Sequence, residues 1–64
     1  MKVKVEDGGT YQCENGTWVK VKKNKLPYYK YSCAEWSGKI SAEGETWTEE
    51  GIAYHNDCYF NFIP

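Results

Sequence analysis

Polar and apolar residues alternate with a period of two along much of the chain, which is the pattern of half-buried β-strands. Lys2–Glu6 alternates in this way, and Asp7-Gly8-Gly9 then breaks the pattern. Two further alternating segments, 10–14 and 17–23, flank Asn15-Gly16. Asn-Gly between alternating segments is the strongest short-range indication of a β-hairpin. The first third of the chain therefore predicts a strand followed by a hairpin.

Two registers are possible for this hairpin. A two-residue turn would place Trp18 on the face of Tyr11 and Cys13. A three-residue loop with a left-handed Gly16 would instead pair Tyr11 with Val19, and Cys13 with Thr17. A one-residue slip moves every side chain to the other face of the sheet, so we predict the register that gives one apolar face. That register is the three-residue loop. The apolar face is then Tyr11, Cys13, Val19 and Val21, and the outward face is Gln12, Trp18, Lys20 and Lys22.

The remaining residues predict further short strands. Leu26-Pro27 opens a strand that runs to Cys33 and points Tyr28 and Lys30 outwards, since proline is tolerated at the first position of a strand. Other strands are predicted around Ile40, at Thr46–Thr48, and at Cys58–Ile63. About five to seven short antiparallel strands indicate an all-β sandwich or barrel. We therefore predict one small β domain over residues 1–64.

The composition supports strands and limits the size of the core. The 64 residues include six tyrosines, three tryptophans and two phenylalanines, whereas Leu26 is the only leucine. Aromatic residues favour strands. A domain of this size is near the lower limit for unaided folding, so a disulfide, a metal or a partner is expected to stabilise it. No apolar run approaches the ~20 residues of a membrane span, and no segment has the pattern of a signal peptide.

Three cysteines and one histidine leave several chemistries open. Cys13, Cys33 and Cys58 allow one disulfide, three thiols, or a zinc site completed by His55. In a meander, Cys13 and Cys33 would lie at the same end of the sheet with one strand between them, roughly 9–10 Å apart. That distance exceeds the ~7 Å limit for a disulfide. Cys58, which opens the last predicted strand at the same end, is a better partner for either Cys13 or Cys33. Of these two pairings we predict the Cys13–Cys58 bridge, whose long loop would stabilise the fold by about 4 kcal/mol.

Neither a metal nor a cofactor is predicted. Structural zinc sites usually combine two close pairs of ligands, and only His55 and Cys58 resemble such a pair. If the disulfide forms, the protein is expected to be secreted, and otherwise cytoplasmic.

Catalytic chemistry is not expected from these residues. His55, Asp57 and Cys58 are too close in sequence to form a nucleophile, a base and an orienting group. Glu49 and Glu50 would point to opposite faces of a strand, and the chain has no glycine-rich phosphate loop. The sequence therefore predicts a binding protein rather than an enzyme.

The predicted binding surface is the aromatic and basic outward face. It consists of Trp18, Lys20, Lys22, Tyr28 and Lys30. Its composition suits a protein partner first, and carbohydrate or nucleic acid second. The net charge of −1 and the lack of arginine argue against nucleic acid. A simpler alternative is that Trp18 covers a second small core and the lysines only solvate the sheet.

Charge is distributed unevenly along the chain. Residues 1–30 contain seven lysines and three acids, whereas residues 31–64 contain one lysine and six acids. This asymmetry can mark a bipolar binding surface, but oppositely charged neighbouring strands explain it more simply. The acidic stretch Glu43–Glu50 around Trp47 is interpreted as a solvated face.

Two short segments resemble known families. Cys13–Trp18 resembles the Cys-x-Asn-Gly-x-Trp hairpins of small secreted disulfide domains. Val5–Tyr11, together with the aromatic tail Cys58–Phe62, is similar to lactococcin-type β-sandwich bacteriocins. These resemblances imply a secreted, disulfide-containing antimicrobial or envelope-binding peptide. That function is the second hypothesis, after a small effector or inhibitor that docks on another macromolecule, and before a carbohydrate- or nucleic-acid-binding module.

Overall fold

The protein forms a curled antiparallel sheet with the shape of a half-barrel. The structure is a computed structural model that describes residues 3–54 and 58–64. Its four strands are β1 (Thr10–Gln12), β2 (Trp18–Lys23), β3 (Tyr31–Ser37) and β4 (Thr46–Trp47), and they lie in the order β1-β2-β3-β4. A short 3-10 helix, Cys58–Phe60, follows. The all-β class is confirmed.

Within the described residues the sheet has four strands, where the sequence predicted five to seven. Of the predicted Lys2–Glu6 strand, Lys2 lies outside the described residues. Val5 is buried between exposed Lys4 and Glu6, so the alternation of burial is present. However, the Val5 N–H donates a single hydrogen bond to the Glu49 carbonyl at 2.9 Å. A strand requires a continuous ladder of such hydrogen bonds.

Two other predicted strands are also wrong. Ile40 lies in a bend that follows β3. Cys58–Ile63 forms the 3-10 helix and then a single bridge between Phe62 and Cys13. Phe60 and Phe62 are nevertheless both buried. Burial of apolar side chains was therefore easier to predict than backbone pairing.

The predicted register of the first hairpin is confirmed. Tyr11 pairs with Val19, and the Cys13 N–H donates to the Thr17 carbonyl at 2.8 Å. Gly16 has a φ of 92° and donates its N–H to the Cys13 carbonyl at 2.9 Å. This left-handed glycine closes the three-residue loop. As a result, β2 buries Val19 and Val21 and exposes Trp18, Lys20 and Lys22.

β3 begins five residues later than the predicted strand. The preceding loop is closed by Asn24, whose N–H donates to the Lys30 carbonyl at 2.8 Å and whose side-chain amide donates to the Tyr29 carbonyl at 2.9 Å. These bonds hold Tyr28 and Lys30 in the loop rather than on the sheet. Side-chain capping of this kind competes with strand pairing, and strand periodicity does not reveal it.

A β-bulge shifts the register between β2 and β3. Val21 pairs with Cys33, but the preceding Lys20 pairs with Glu35, so Ala34 is an extra residue on β3. Bulges bend the strand and increase its twist. The bulge therefore contributes to the curl of the sheet.

The core is built around Trp47. Its indole is fully buried, with 0% of its surface exposed, and its N–H donates to the Phe60 carbonyl at 2.7 Å. Among the residues whose burial is described, the buried apolar ones are Val5, Cys13, Val19, Val21, Ala42, Trp47, Ala53, Phe60 and Phe62. Trp47 is thus not part of an acidic surface. It satisfies its only polar group internally, as a buried tryptophan must.

The C-terminal segment closes the open side of the sheet. The Ile63 N–H donates to the Gln12 carbonyl on β1 at 2.9 Å, and the Phe62 N–H donates to the Gly51 carbonyl at 3.0 Å. Asn61 accepts a hydrogen bond from the Ala53 N–H at 2.8 Å. One segment therefore joins β1 to the turn that follows β4. Within the described ranges, no helix has the length and apolar character needed to cross a membrane.

Candidate interaction surface

Three of the five predicted binding residues share the outer face of β2. Trp18, Lys20 and Lys22 are exposed, and half of the Trp18 surface, 50%, is accessible. The backbone that presents them is fixed on both sides, because β2 is an interior strand between β1 and β3. This arrangement holds the Trp18 backbone in one position.

The other two predicted residues lie elsewhere. Tyr28 is exposed in the loop between β2 and β3, where it packs edge-on against Tyr29 with ring centroids 5.0 Å apart. Tyr29 makes a similar contact with Tyr54 at 4.8 Å. Lys30 is partly buried in the same loop. The predicted face is therefore smaller than expected, and Tyr28 belongs to a separate tyrosine cluster.

Trp36 is an exposed aromatic residue that the sequence prediction did not include in the site. It is 41% exposed and borders a shallow groove with Trp18, Lys20 and Glu35. Trp36 also borders a second depression, with Glu43, along β3. It therefore lies on the rim between the two depressions. Extending the alternating pattern as far as the Ser37-Gly38 break would have placed Trp36 in the strand.

The groove has a mixed charge. Lys20 pairs with Glu35 on β3, and on its other side Lys20 pairs with Thr10 on β1. Oppositely charged neighbouring strands therefore account for part of the uneven charge of the chain, as the simpler interpretation expected. A surface that carries both signs is less suited to a continuous phosphate backbone than a purely basic one.

The cysteines are not arranged as the meander argument assumed. Cys13 pairs with Thr17 at the start of β2, whereas Cys33 pairs with Val21 near its end. The assumption that they share one end of the sheet is wrong, because β3 runs on to Ser37 and places Cys33 near its own start. Cys33 carries a free thiol in the structure.

The environment of Cys33 suppresses its ionisation. Burial raises the pKa of the Cys33 thiol above its ordinary value, and the nearby Glu43 carboxylate raises it further. Lys22 lowers the pKa, but this effect is the smallest of the three. A thiol with a raised pKa is a poor nucleophile at neutral pH.

The predicted disulfide and the alternative zinc site involve residues only partly described. Cys13 is buried, and the Cys58 side chain and His55 lie outside the described residues. The Cys13–Cys58 bridge therefore stays a prediction. Among the described residues, no group of three or more histidine, cysteine or acidic side chains is placed to hold a metal ion.

Comparisons with known proteins do not assign the chain to a family. Neither the protein-family models, nor the curated proteins, nor the solved structures give a significant match.

Proposed function

We propose that this protein is a small, non-catalytic interaction protein that docks on another protein through the outer face of its sheet. The observation that carries the proposal is the exposed indole of Trp18, which lies beside Lys20 and Glu35 in a shallow groove that Trp36 also borders. We call this surface the tryptophan face, and it consists of Thr10, Trp18, Lys20, Lys22, Glu35 and Ser37. Tryptophan is the residue type most enriched among those that dominate binding energy at protein interfaces.

The backbone supports binding at this face. Trp18 lies between Gln12 and Ser37 in the sheet, and the next residue, Val19, is fully buried. Residues held on an interior strand lose little backbone freedom when a partner binds, so less binding energy is spent on ordering the surface. The lysine stems beside Trp18 add apolar contact area while their ammonium groups stay in water.

The polar groups favour a protein over a nucleic acid as the partner. Glu35 lies next to Lys20 in the groove, where it would repel a phosphate. The chain has no arginine, the side chain best suited to bidentate contacts with phosphate or guanine. A protein surface with mixed charges matches this face better.

The test compares Trp18→Ala with Leu26→Ala, which removes a side chain of equal exposure, 50%, from the loop outside the tryptophan face. Both variants and the native protein are immobilised and exposed to cell extracts, to DNA and RNA, and to a glycan array. We expect at least one protein to bind the native chain and the Leu26 variant but to bind Trp18→Ala more weakly by about 2 kcal/mol, or about 30-fold. The stability of Trp18→Ala should change by less than about 1 kcal/mol.

Two results would overturn the proposal. A loss of about 3 kcal/mol or more in the free energy of unfolding of Trp18→Ala would make Trp18 a structural residue. Binding that depends on Trp18 only for nucleic acid or glycan would replace the protein partner with one of those ligands.

A further inference from the structure

The outer edge of β3 extends well beyond the strand that covers it. β3 has seven residues, but β4 pairs only with Tyr31 and Ser32, and the Cys33 N–H donates to the Glu45 carbonyl at 3.2 Å. The next four residues, Ala34–Ser37, are all exposed. No strand in the described part of the chain pairs with them on that side.

The backbone of Trp36 is directed to this open edge. The Val21 N–H donates to the Gly9 carbonyl, on the side of β2 that faces β1. Because backbone groups alternate sides along a strand, the N–H and C=O groups of Lys20 and Trp18 face β3. Glu35 pairs with Lys20, and Ser37 pairs with Trp18, so the backbone groups of these two β3 residues face β2. By the same alternation, the N–H and C=O of Trp36, which lies between them, point away from β2. An unpaired edge of this kind is a template for an added strand.

The surroundings of the edge are acidic. A depression beside the edge is lined by Cys33, Ala34, Glu35, Trp36 and Glu43. Pairing with a second copy of the same edge would bring like charges together, which is unfavourable across strands. An extended segment that carries lysine or arginine would instead complement Glu35 and Glu43.

We infer that Ala34–Ser37 accepts an extended basic segment of a partner protein as an additional β-strand. The inference rests on the proposed function and specifies how the partner is held. Main-chain hydrogen bonds to Trp36 supply affinity, and Glu35 and Glu43 select basic side chains. Because Trp36 also borders the tryptophan face, one partner contacts both surfaces.

The first experiment uses the full chain, labelled with ¹⁵N, and a synthetic peptide of alternating lysine and valine. A second peptide with glutamate in place of lysine is the control. The lysine peptide should cause saturable amide shifts at Ala34–Ser37 and slow the hydrogen exchange of the Trp36 N–H. The absence of shifts at millimolar peptide, equal binding of the glutamate peptide, or shifts confined to other strands would overturn the inference.

A pair of variants isolates the backbone contribution. Trp36→Ala and Trp36→Pro both remove the indole, but only proline removes the N–H that faces the edge. Proline is tolerated where the N–H of an edge strand faces solvent, and melting curves of the two variants check this. The peptide should bind Trp36→Pro at least about tenfold more weakly than Trp36→Ala, and Glu43→Lys should also weaken binding. Equal affinities of the two Trp36 variants would exclude strand addition.

The two proposals fail in different ways. A partner protein that depends on Trp18 but binds both Trp36 variants equally would remove the added strand and leave the proposed function in place. If the peptide pairs with the edge but no protein binds in a Trp18-dependent way, the proposed function would be wrong and the added strand would stand. Concentration-dependent dimerisation lost in Trp36→Pro would assign the edge to a second copy of the chain and overturn the basic partner.

Discussion

The indole of Trp47 stacks on the ring of Phe62, with ring centroids 4.7 Å apart and 20° between the planes. Phe62 also stacks on Tyr11 at 5.1 Å. These two contacts join the edge strands β4 and β1 through one residue of the C-terminal segment. A single residue near the end of the sequence therefore bridges the two edge strands of the sheet.

Phe62→Ala is expected to lower the free energy of unfolding by about 3–5 kcal/mol, because it removes both ring contacts and leaves a cavity in the core. The control is Tyr59→Ala on the same segment. Tyr59 is 69% exposed, so its loss should change stability by no more than about 0.5 kcal/mol. Denaturant unfolding measures both values. Equal effects of the two substitutions would show that the segment does not close the core.

Gly16→Ala is expected to destabilise the protein by about 1 kcal/mol or more, because alanine resists a positive φ. A Cβ on Gly16 would have no heavy atom within 4 Å, so the cost arises from the backbone and not from a collision. Gly16→Asn should cost less, since asparagine tolerates the left-handed conformation. Thermal unfolding of the two variants tests this order, and an unchanged melting temperature for Gly16→Ala would contradict it.

Alkylation of Cys33 by iodoacetamide should be slow at neutral pH and accelerate only at alkaline pH, because its pKa is raised by burial and by Glu43. Glu43→Gln should shift the rate profile to lower pH, and Lys22→Ala should shift it to higher pH. A profile unaffected by either substitution would contradict the electrostatic assignment.

The same pKa difference affects stability at high pH. The folded state holds the Cys33 proton more tightly than the unfolded state, whose thiol has a pKa near the ordinary value of 9.0. The stability contribution is present below this value and is lost as the pH rises through the folded pKa. Cys33→Ser should remove this part of the loss of stability at alkaline pH. The free energies of unfolding of the native protein and of Cys33→Ser, compared across this pH range, measure the difference.

Peptide mapping without reduction is expected to link the Cys13 peptide to the Cys58 peptide and to leave Cys33 alkylated. Reduction should then lower stability by about 4 kcal/mol according to the chain-entropy model. Cys33→Ser should retain the linkage. Three alkylatable thiols in the native protein, or one bound zinc per chain, would refute the bridge.

The first hairpin could be derived from local sequence alone. Asn15-Gly16 defines the loop, and the alternation on both sides selects the register in which Trp18 is exposed and Val19 is buried. Both features act between residues that are close in the chain, where turn chemistry and side-chain periodicity are sufficient. Three members of the candidate binding surface follow from this register.

The extent of the surface required the tertiary structure. Asn24 caps the loop that removes Tyr28 and Lys30 from the sheet, and the bulge at Ala34 sets the register of the part of β3 that contains Trp36. Periodicity identifies an apolar position without identifying its partner strand, so Trp47 and Phe62 were recognisable as apolar but not as a stacked pair. Sequence determined the residues that avoid water in the hairpin. Long-range packing decided where each strand ends, and consequently which edge stays open, because strand pairing depends on a neighbour that local sequence does not specify.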